Sequence, residues 1–127
     1  MSDEGYSLEE LMALIRKFVQ DRDWEDFQKP SALAVSASIE MGELLERFQW
    51  LSHKEIADLL KDDRYRESIA DEIADVIVYM LRIADTTGIE PTSAILRKLK
   101  KNEEKYPVDV WRGKIPDKIR KKKLMTR

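Results

Sequence analysis

The chain has 127 residues, 43% of them apolar and 38% charged, a mixture that suits amphipathic helices and excludes a disordered or membrane-spanning chain. The absence of cysteine excludes disulfides, thiolate metal sites and cysteine nucleophiles, and the net charge of −2 argues against stable nucleic-acid binding. Since no apolar run could cross a bilayer and the acidic N-terminus is unlike a signal peptide, we expect one cytoplasmic domain over residues 1–127.

Two helices are predicted in the first half of the chain. Ser7 followed three residues later by Glu10 is a capping-box pattern that opens the first helix, which carries apolar residues along one face. Pro30 then breaks the helical pattern. Ser31 is the predicted cap of the second helix, which runs to about Leu51.

Helical periodicity continues through the second half. A short third helix precedes a long fourth one that ends at Gly88, and Pro91 begins a fifth helix that Pro107 ends. The helical core is therefore expected to span about residues 7–107, with a basic tail over 108–127 that is extended or partly disordered. The predicted fold class is all-α, a bundle of four to five helices.

Acidic residues recur at three-residue spacing on two of these helices. Glu40 and Glu43 share an apolar stripe of helix two with Leu44. Glu72 and Asp75 lie on helix four, whose apolar residues cover nearly its whole circumference, so we expect that helix to be surrounded by protein. Because burying carboxylates without counter-charge is costly, four acids on two packed helices predict a cation among them.

The cation favoured by these ligands is a hard divalent ion. Magnesium prefers oxygen ligands, and manganese accepts the same set, so a carboxylate cluster with room for phosphate oxygens indicates phosphate chemistry. The alternative is that the acids form ordinary solvated faces, paired with some of the 23 lysine and arginine residues. Glu46 precedes Arg47 and points away from the stripe, so it would be an outer-shell residue at most.

Three segments, "SIEMGELLERFQW", "DEIADVIVYML" and "KKNEEKYP", carry a resemblance to a known family. Over about residues 8–107 the chain resembles the MazG-like group of all-alpha nucleoside triphosphate pyrophosphohydrolases, in particular its dCTP pyrophosphatase branch. The family pattern of E-x-x-E followed by E-x-x-D falls on Glu40, Glu43, Glu72 and Asp75. The resemblance implies that these acids hold magnesium and that a triphosphate is hydrolysed to monophosphate and pyrophosphate, as in nucleotide-pool sanitation.

The same resemblance implies a mechanism and a substrate. A water attacks the α-phosphorus in line while magnesium offsets charge on the leaving pyrophosphate, and Glu43 is our choice of general base. Trp24, Trp50 and Tyr79 match positions that enclose the base and sugar in the dCTP branch. We therefore expect a pyrimidine deoxynucleotide, with dCTP as the leading candidate, although Ile15 stands where the branch has a histidine.

The last cluster of residues that the resemblance implicates is polar and basic. By family pattern, part of it faces the phosphates; for Lys98 and its neighbour Lys101 a solvated face is an equally good interpretation. The implicated residues are Lys98, Asn102, Lys105 and Tyr106.

Two other protein classes remain as alternatives. A non-enzymatic helical adaptor would also have amphipathic helices, and it predicts no turnover. A di-iron carboxylate bundle would have buried acids, but it pairs them with E-x-x-H motifs, and His53 lies outside both acidic motifs. Either way, the apolar surface of so small a bundle is easier to bury between copies, so we expect a homodimer or a homotetramer of two dimers.

Overall fold

A computed structural model describes residues 5–115, and these residues form helices without any strand. This confirms the all-α prediction. There are six α-helices in these residues and a 3-10 turn at Glu25–Phe27, where four to five helices were predicted. The additional helix is the short one at Val108–Trp111, in the segment that was expected to be extended. The α-helices are α1 Leu8–Asp21, α2 Pro30–Glu46, α3 His53–Leu59, α4 Asp63–Thr87, α5 Pro91–Lys105 and α6 Val108–Trp111. Residues 116–127 of the predicted tail lie outside the described residues.

The ends of the helices follow local chemistry. The capping box at the start of α1 is confirmed, with the Glu10 amide donating to Ser7 Oγ at 3.0 Å. Gly88 ends α4 with a φ of 70°, in the left-handed region that favours glycine. The prediction that Ser31 caps α2 is wrong: Lys29 is the cap and Pro30 is the first helical residue, because the proline ring presets a helical φ and needs no amide partner there.

The chain divides into two compact units between Pro91 and Thr92, and the single-domain prediction stays a prediction. In the first unit, α1 packs on α4 through a buried cluster of Met12, Leu81 and Ala84, with other apolar side chains of α1 against it. In the second unit, α5 is followed by α6. No helix within residues 5–115 has the length and apolar character needed to cross a membrane.

Helices α2 and α4 pack against each other in the antiparallel sense. Near the end of α2, the Tyr65 hydroxyl donates to the carbonyl oxygen of Arg47 at 2.6 Å. Toward the start of α2, Leu33 and Ser36 line one cleft together with Tyr79, which lies late in α4. Residues late in one helix therefore face residues early in the other, and the two helices border a common groove.

Much of the apolar surface of these two helices is exposed in the single chain. Ile73, Ile77 and Met80 of α4 are 43%, 48% and 54% exposed, so the prediction that protein surrounds this helix is wrong for one copy. Val35 and Ile39 of α2 are likewise exposed. Sequence periodicity reports that a face is apolar, but it does not say whether the same chain or another one covers it.

Candidate functional site

Three of the four predicted acids come together in the groove between α2 and α4. One carboxylate oxygen from each of Glu40, Glu43 and Glu72 lies within 4.8 Å of the others, and we call these residues the acid triad. Glu72 is buried, Glu40 is half-buried and Glu43 is exposed. The triad forms because two residues one turn apart on α2 face a third on the antiparallel α4.

The acid triad holds more negative charge than residues 5–115 balance. Among residues 5–115, Arg47 makes the one salt bridge to the triad, with Nη2 at 3.2 Å from Glu72 Oε1. The Oε2 atoms of Glu40 and Glu72 are buried and have no hydrogen-bond partner among those residues. Buried carboxylate oxygens without partners are costly, so these two atoms favour a further ligand such as a bound cation.

The crowding of negative charge affects the pKa of the exposed member of the triad, Glu43. Hydrogen bonding with Glu40 raises the pKa of the Glu43 carboxyl above its ordinary value, and the negative charges of Glu40 and Glu72 raise it further. Three oxygen donors of this kind match the preference of magnesium and manganese for carboxylate ligands. The residues present therefore fit a hard divalent cation.

Asp75 and Glu46 lie outside this cluster. Asp75 is exposed and is not among the acids whose oxygens converge, so its role as a metal ligand stays a prediction. Glu46 is the exposed last residue of α2. His53, the first residue of α3, is exposed and does not belong to the triad.

Sequence reasoning missed the contribution of Arg47. Its backbone carbonyl accepts the bond from Tyr65, and its guanidinium reaches Glu72 across the groove. The available signal was its position four residues after Glu43, which places a cation on the same face of α2.

A cleft of about 240 Å³ lies in the same groove and contains two of the three predicted aromatic residues. Trp24 packs edge-to-face on Phe18, with ring centroids 5.9 Å apart and an interplanar angle of 75°. The guanidinium of Arg22 lies over the Phe18 ring, 3.6 Å from its centroid. The cleft is lined by Trp24, Phe27, Gln28, Ala32, Leu33, Ser36 and Tyr79.

The third aromatic, Trp50, lies outside this cleft. The α2 helix ends at Glu46 instead of the predicted Leu51, and Trp50 follows with a left-handed φ of 66° and 90% of its surface exposed. Its role in binding the base stays a prediction. Ile15, where the resembled branch has a histidine, packs against the buried cluster of α1 and α4.

A second charged cluster, which we call the arginine network, joins α1, α4 and the cleft. Arg16 donates from Nε and Nη2 to the two oxygens of Asp85 at 2.8 and 2.7 Å. Arg82, only 6% exposed, donates from Nη1 to Asp85 at 2.8 Å and from Nε to Gln28 Oε1 at 2.6 Å. The bonds from Arg16 hold the pKa of Asp85 below its ordinary value, with partial burial opposing and the charges of Arg16 and Arg82 adding to the effect.

The predicted phosphate-facing residues belong to the second unit. Lys98 lies beside an apolar strip of α5, and the Lys105 ammonium is 5.4 Å from the centre of the Tyr106 ring. Tyr106 packs edge-to-face on Trp111, with centroids 5.4 Å apart, and its amide donates to the carbonyl of Asn102 at 2.8 Å. Their role in phosphate binding stays a prediction.

Comparison with known proteins gives a consistent set of relatives. The dCTP pyrophosphatase 1 of Rattus norvegicus is 33% identical over 107 residues, and that of Homo sapiens is 32% identical over the same length. Each alignment covers 84% of this chain and 63% of the relative, so the chain spans less than two thirds of these curated proteins. The crystal structure of a pyrophosphatase from Archaeoglobus fulgidus is 42% identical, with a TM-score of 0.74, and the match covers 84% of this chain and 98% of that one. The sequence model of the MazG-like family matches residues 35–113, more than half of the chain, and the chain therefore belongs to the MazG-like family.

Proposed function

We propose that this chain is a nucleoside triphosphate pyrophosphohydrolase that depends on a divalent cation. The observation that carries the proposal is the position of an under-compensated acid triad beside an aromatic cleft in one groove. Ser36 of the cleft lies one turn before Glu40 on α2, about 6 Å along the helix axis. Tyr79 lies two turns after Glu72 on α4, about 10 Å along that axis.

This spacing matches the layout of a nucleotide. A base stacked in the cleft against Trp24 would place its sugar and first phosphates toward the acid triad. Aromatic stacking of a base contributes about 1–3 kcal/mol and tolerates different bases, so the cleft supplies affinity while the acids select for the polyphosphate. The names of the relatives, dCTP pyrophosphatase 1 and pyrophosphatase, support this assignment.

The residues of the triad take different roles in the proposed reaction. Glu40 and Glu72, each with a buried oxygen that lacks a partner among residues 5–115, would hold the cation, with Asp75 as a third ligand. A bound magnesium or manganese ion supplies charge neutralisation for the phosphate oxygens. Glu43, the exposed member, orients the attacking water and takes its proton. The new bond forms at the α-phosphorus as the bond to the oxygen bridging to the β-phosphorus breaks, so monophosphate and pyrophosphate leave.

The finer assignments rest on chemistry and on the relatives. We propose a deoxypyrimidine triphosphate, with dCTP first, because the curated relatives are dCTP pyrophosphatases. Phosphate binding by Lys98, Asn102, Lys105 and Tyr106 rests on their match to the family pattern. A homodimer or homotetramer would cover the exposed apolar side chains of α2 and α4.

Pyrophosphate release tests the proposal. With the purified 127-residue chain and magnesium, we expect pyrophosphate and monophosphate in equal amounts from at least one of dCTP, dTTP, dUTP, dATP and dGTP, and none after chelation by EDTA. Trp24→Ala should lower kcat/KM by about tenfold. Trp50→Ala measured beside it tests whether that exposed residue contributes. Absence of turnover with every nucleotide would return the chain to the adaptor alternative.

A further inference from the structure

The side chain of Gln28 reaches the cleft from the segment between the 3-10 turn and α2. It is half-buried and lines the cleft beside Trp24 and Tyr79. Its Oε1 accepts a hydrogen bond from the Nε–H of Arg82 at 2.6 Å, and this is the one hydrogen bond of the Gln28 side chain among residues 5–115. The buried guanidinium of Arg82 thus holds the Gln28 amide, which lines the candidate base-binding cleft, through a short hydrogen bond.

This bond determines which way the amide faces. A guanidinium has only donors and keeps its charge at any physiological pH, so the atom of Gln28 that faces Arg82 must be the oxygen. The amide nitrogen then points away from Arg82, and a flip would place its hydrogens against those of the guanidinium. The amide nitrogen of Gln28 is therefore held as a donor on the side away from Arg82.

The orientation of Arg82 is itself fixed by the rest of the arginine network. Its Nη1 donates to Asp85 at 2.8 Å, and Asp85 is gripped on both oxygens by Arg16 at 2.7 and 2.8 Å. The Arg82 side chain is 7% exposed, so solvent competes little for its donors. The linked side chains of Arg82, Asp85 and Arg16 thus fix the orientation of the Gln28 amide. Packing of a loop residue alone does not require such a hydrogen-bond network.

We propose that Gln28 is a specificity-determining residue that donates a hydrogen bond to an unprotonated ring nitrogen on the edge of a pyrimidine, an inference that rests on the proposed function. Cytosine presents N3 as an acceptor, whereas uracil and thymine carry a hydrogen on N3. The fixed N–H of Gln28 can donate to N3 of cytosine. In uracil or thymine it would face the hydrogen on N3, which is a second donor. The selected substrate class is the cytosine nucleotides, and Arg82 is the positioning residue.

Variants of Gln28 separate this role from simple packing. Gln28→Glu retains an acceptor for Arg82 but puts an acceptor oxygen where the amide nitrogen was, and Gln28→Met removes both functions at similar length. Gln20→Glu, an exposed change on α1, is the matched control for charge. The substrates are dCTP, dUTP and the pyrimidin-2-one deoxyribonucleoside triphosphate, which keeps the unprotonated N3 and lacks the substituent at position 4.

The ratio of kcat/KM between substrates is the readout. We expect wild type to prefer dCTP and the pyrimidin-2-one nucleotide over dUTP, and we expect Gln28→Glu to lower that preference by about tenfold or more, because a site built around a hydrogen bond rejects the wrong partner strongly. Gln28→Met should bring the ratio toward one, and Gln20→Glu should leave it unchanged. An unchanged ratio in Gln28→Glu, or an equal change in Gln20→Glu, overturns the inference.

A binding measurement distinguishes failure of this inference from failure of the proposed function. If wild type hydrolyses no nucleotide, tryptophan fluorescence is titrated with dCMP and dUMP without metal, using Trp24→Phe to identify the responding residue. Preference for dCMP that is lost in Gln28→Glu supports the role of Gln28 even then. Equal binding of the two monophosphates by wild type, or no binding of either, overturns it.

Discussion

The acid triad and the arginine network both include residues of α4, but their charges are balanced to different degrees. In the arginine network, both carboxylate oxygens of Asp85 accept hydrogen bonds from arginines. The buried Arg82 donates one hydrogen bond to Asp85 and one to Gln28. In the acid triad, three carboxylates meet one arginine that is 44% exposed, and two buried oxygens lack partners among residues 5–115. Among residues 5–115, the charges of the network are matched by partners, whereas those of the triad are matched only in part, by Arg47.

This difference separates structural charge from functional charge. A network whose donors and acceptors are matched stabilises the fold, and it can hold a neighbouring side chain such as Gln28 in place without a ligand of its own. A cluster with excess charge of one sign is destabilising by itself, so its presence in the groove favours a ligand that brings the opposite charge.

Removing an acid of the triad should have the largest effect. Glu72→Gln keeps the shape of the side chain but removes a charge from the buried ligand, so we expect pyrophosphate release to fall by about 10²–10³-fold or more. Glu67→Gln, an exposed change on the same helix, is the control and should keep wild-type activity. Comparable activity in the two variants would contradict the catalytic role of the triad.

Breaking the arginine network should instead cost stability. Asp85→Asn leaves Arg16 and the buried Arg82 without their anion, and we expect a loss of about 2 kcal/mol in the free energy of unfolding by urea. The pair of Lys61 and Asp58, 3.7 Å apart and exposed, provides the control, since Asp58→Asn should cost about 0.5 kcal/mol or less. Equal losses in the two variants would show that the network is not structural.

The stability contributed by Asp85 should also depend on pH. Its pKa in the folded chain is lower than the ordinary value of 3.8, so the folded state binds that proton more weakly than the unfolded state does. The contribution is complete above the ordinary value and is lost as pH falls through the lowered one. The difference in stability between wild type and Asp85→Asn should therefore shrink at acid pH, and a difference that is constant down to acid pH would contradict the pairing.

A smaller effect of opposite sign is expected for Glu43. The pKa of Glu43 is raised from an ordinary 4.5, so its ionisation in the metal-free fold works against stability as pH rises from that value through the raised one. Glu43→Gln removes this repulsion, and the melting temperature of the metal-free chain at neutral pH should rise by a few degrees. A melting temperature below that of wild type in EDTA would show that Glu43 is compensated in the fold.

Local signals in the sequence were enough to predict much of the fold and of the acid site. The capping box at Ser7 and the end of α4 at Gly88 depend only on residues close in sequence. The positions of Glu40, Glu43 and Glu72 on apolar stripes place these acids at a helix interface. Each of these features repeats with the period of a helix or lies within one turn of it.

What the sequence did not reveal depends on contacts between distant residues. Arg82 and Gln28 are 54 residues apart, and a single polar pair leaves no periodic pattern. The end of α2 before Trp50 was missed because the apolar pattern continues past the last helical residue, and α6 was missed because four residues show no period.

The melting temperature as a function of magnesium concentration tests the central claim most directly. If the triad lacks counter-charge that a divalent cation supplies, wild type and Asp85→Asn should each gain about 5 °C at saturating magnesium, whereas Glu72→Gln should gain little. Wild-type melting that is indifferent to magnesium, or an equal gain in Glu72→Gln, would contradict the account.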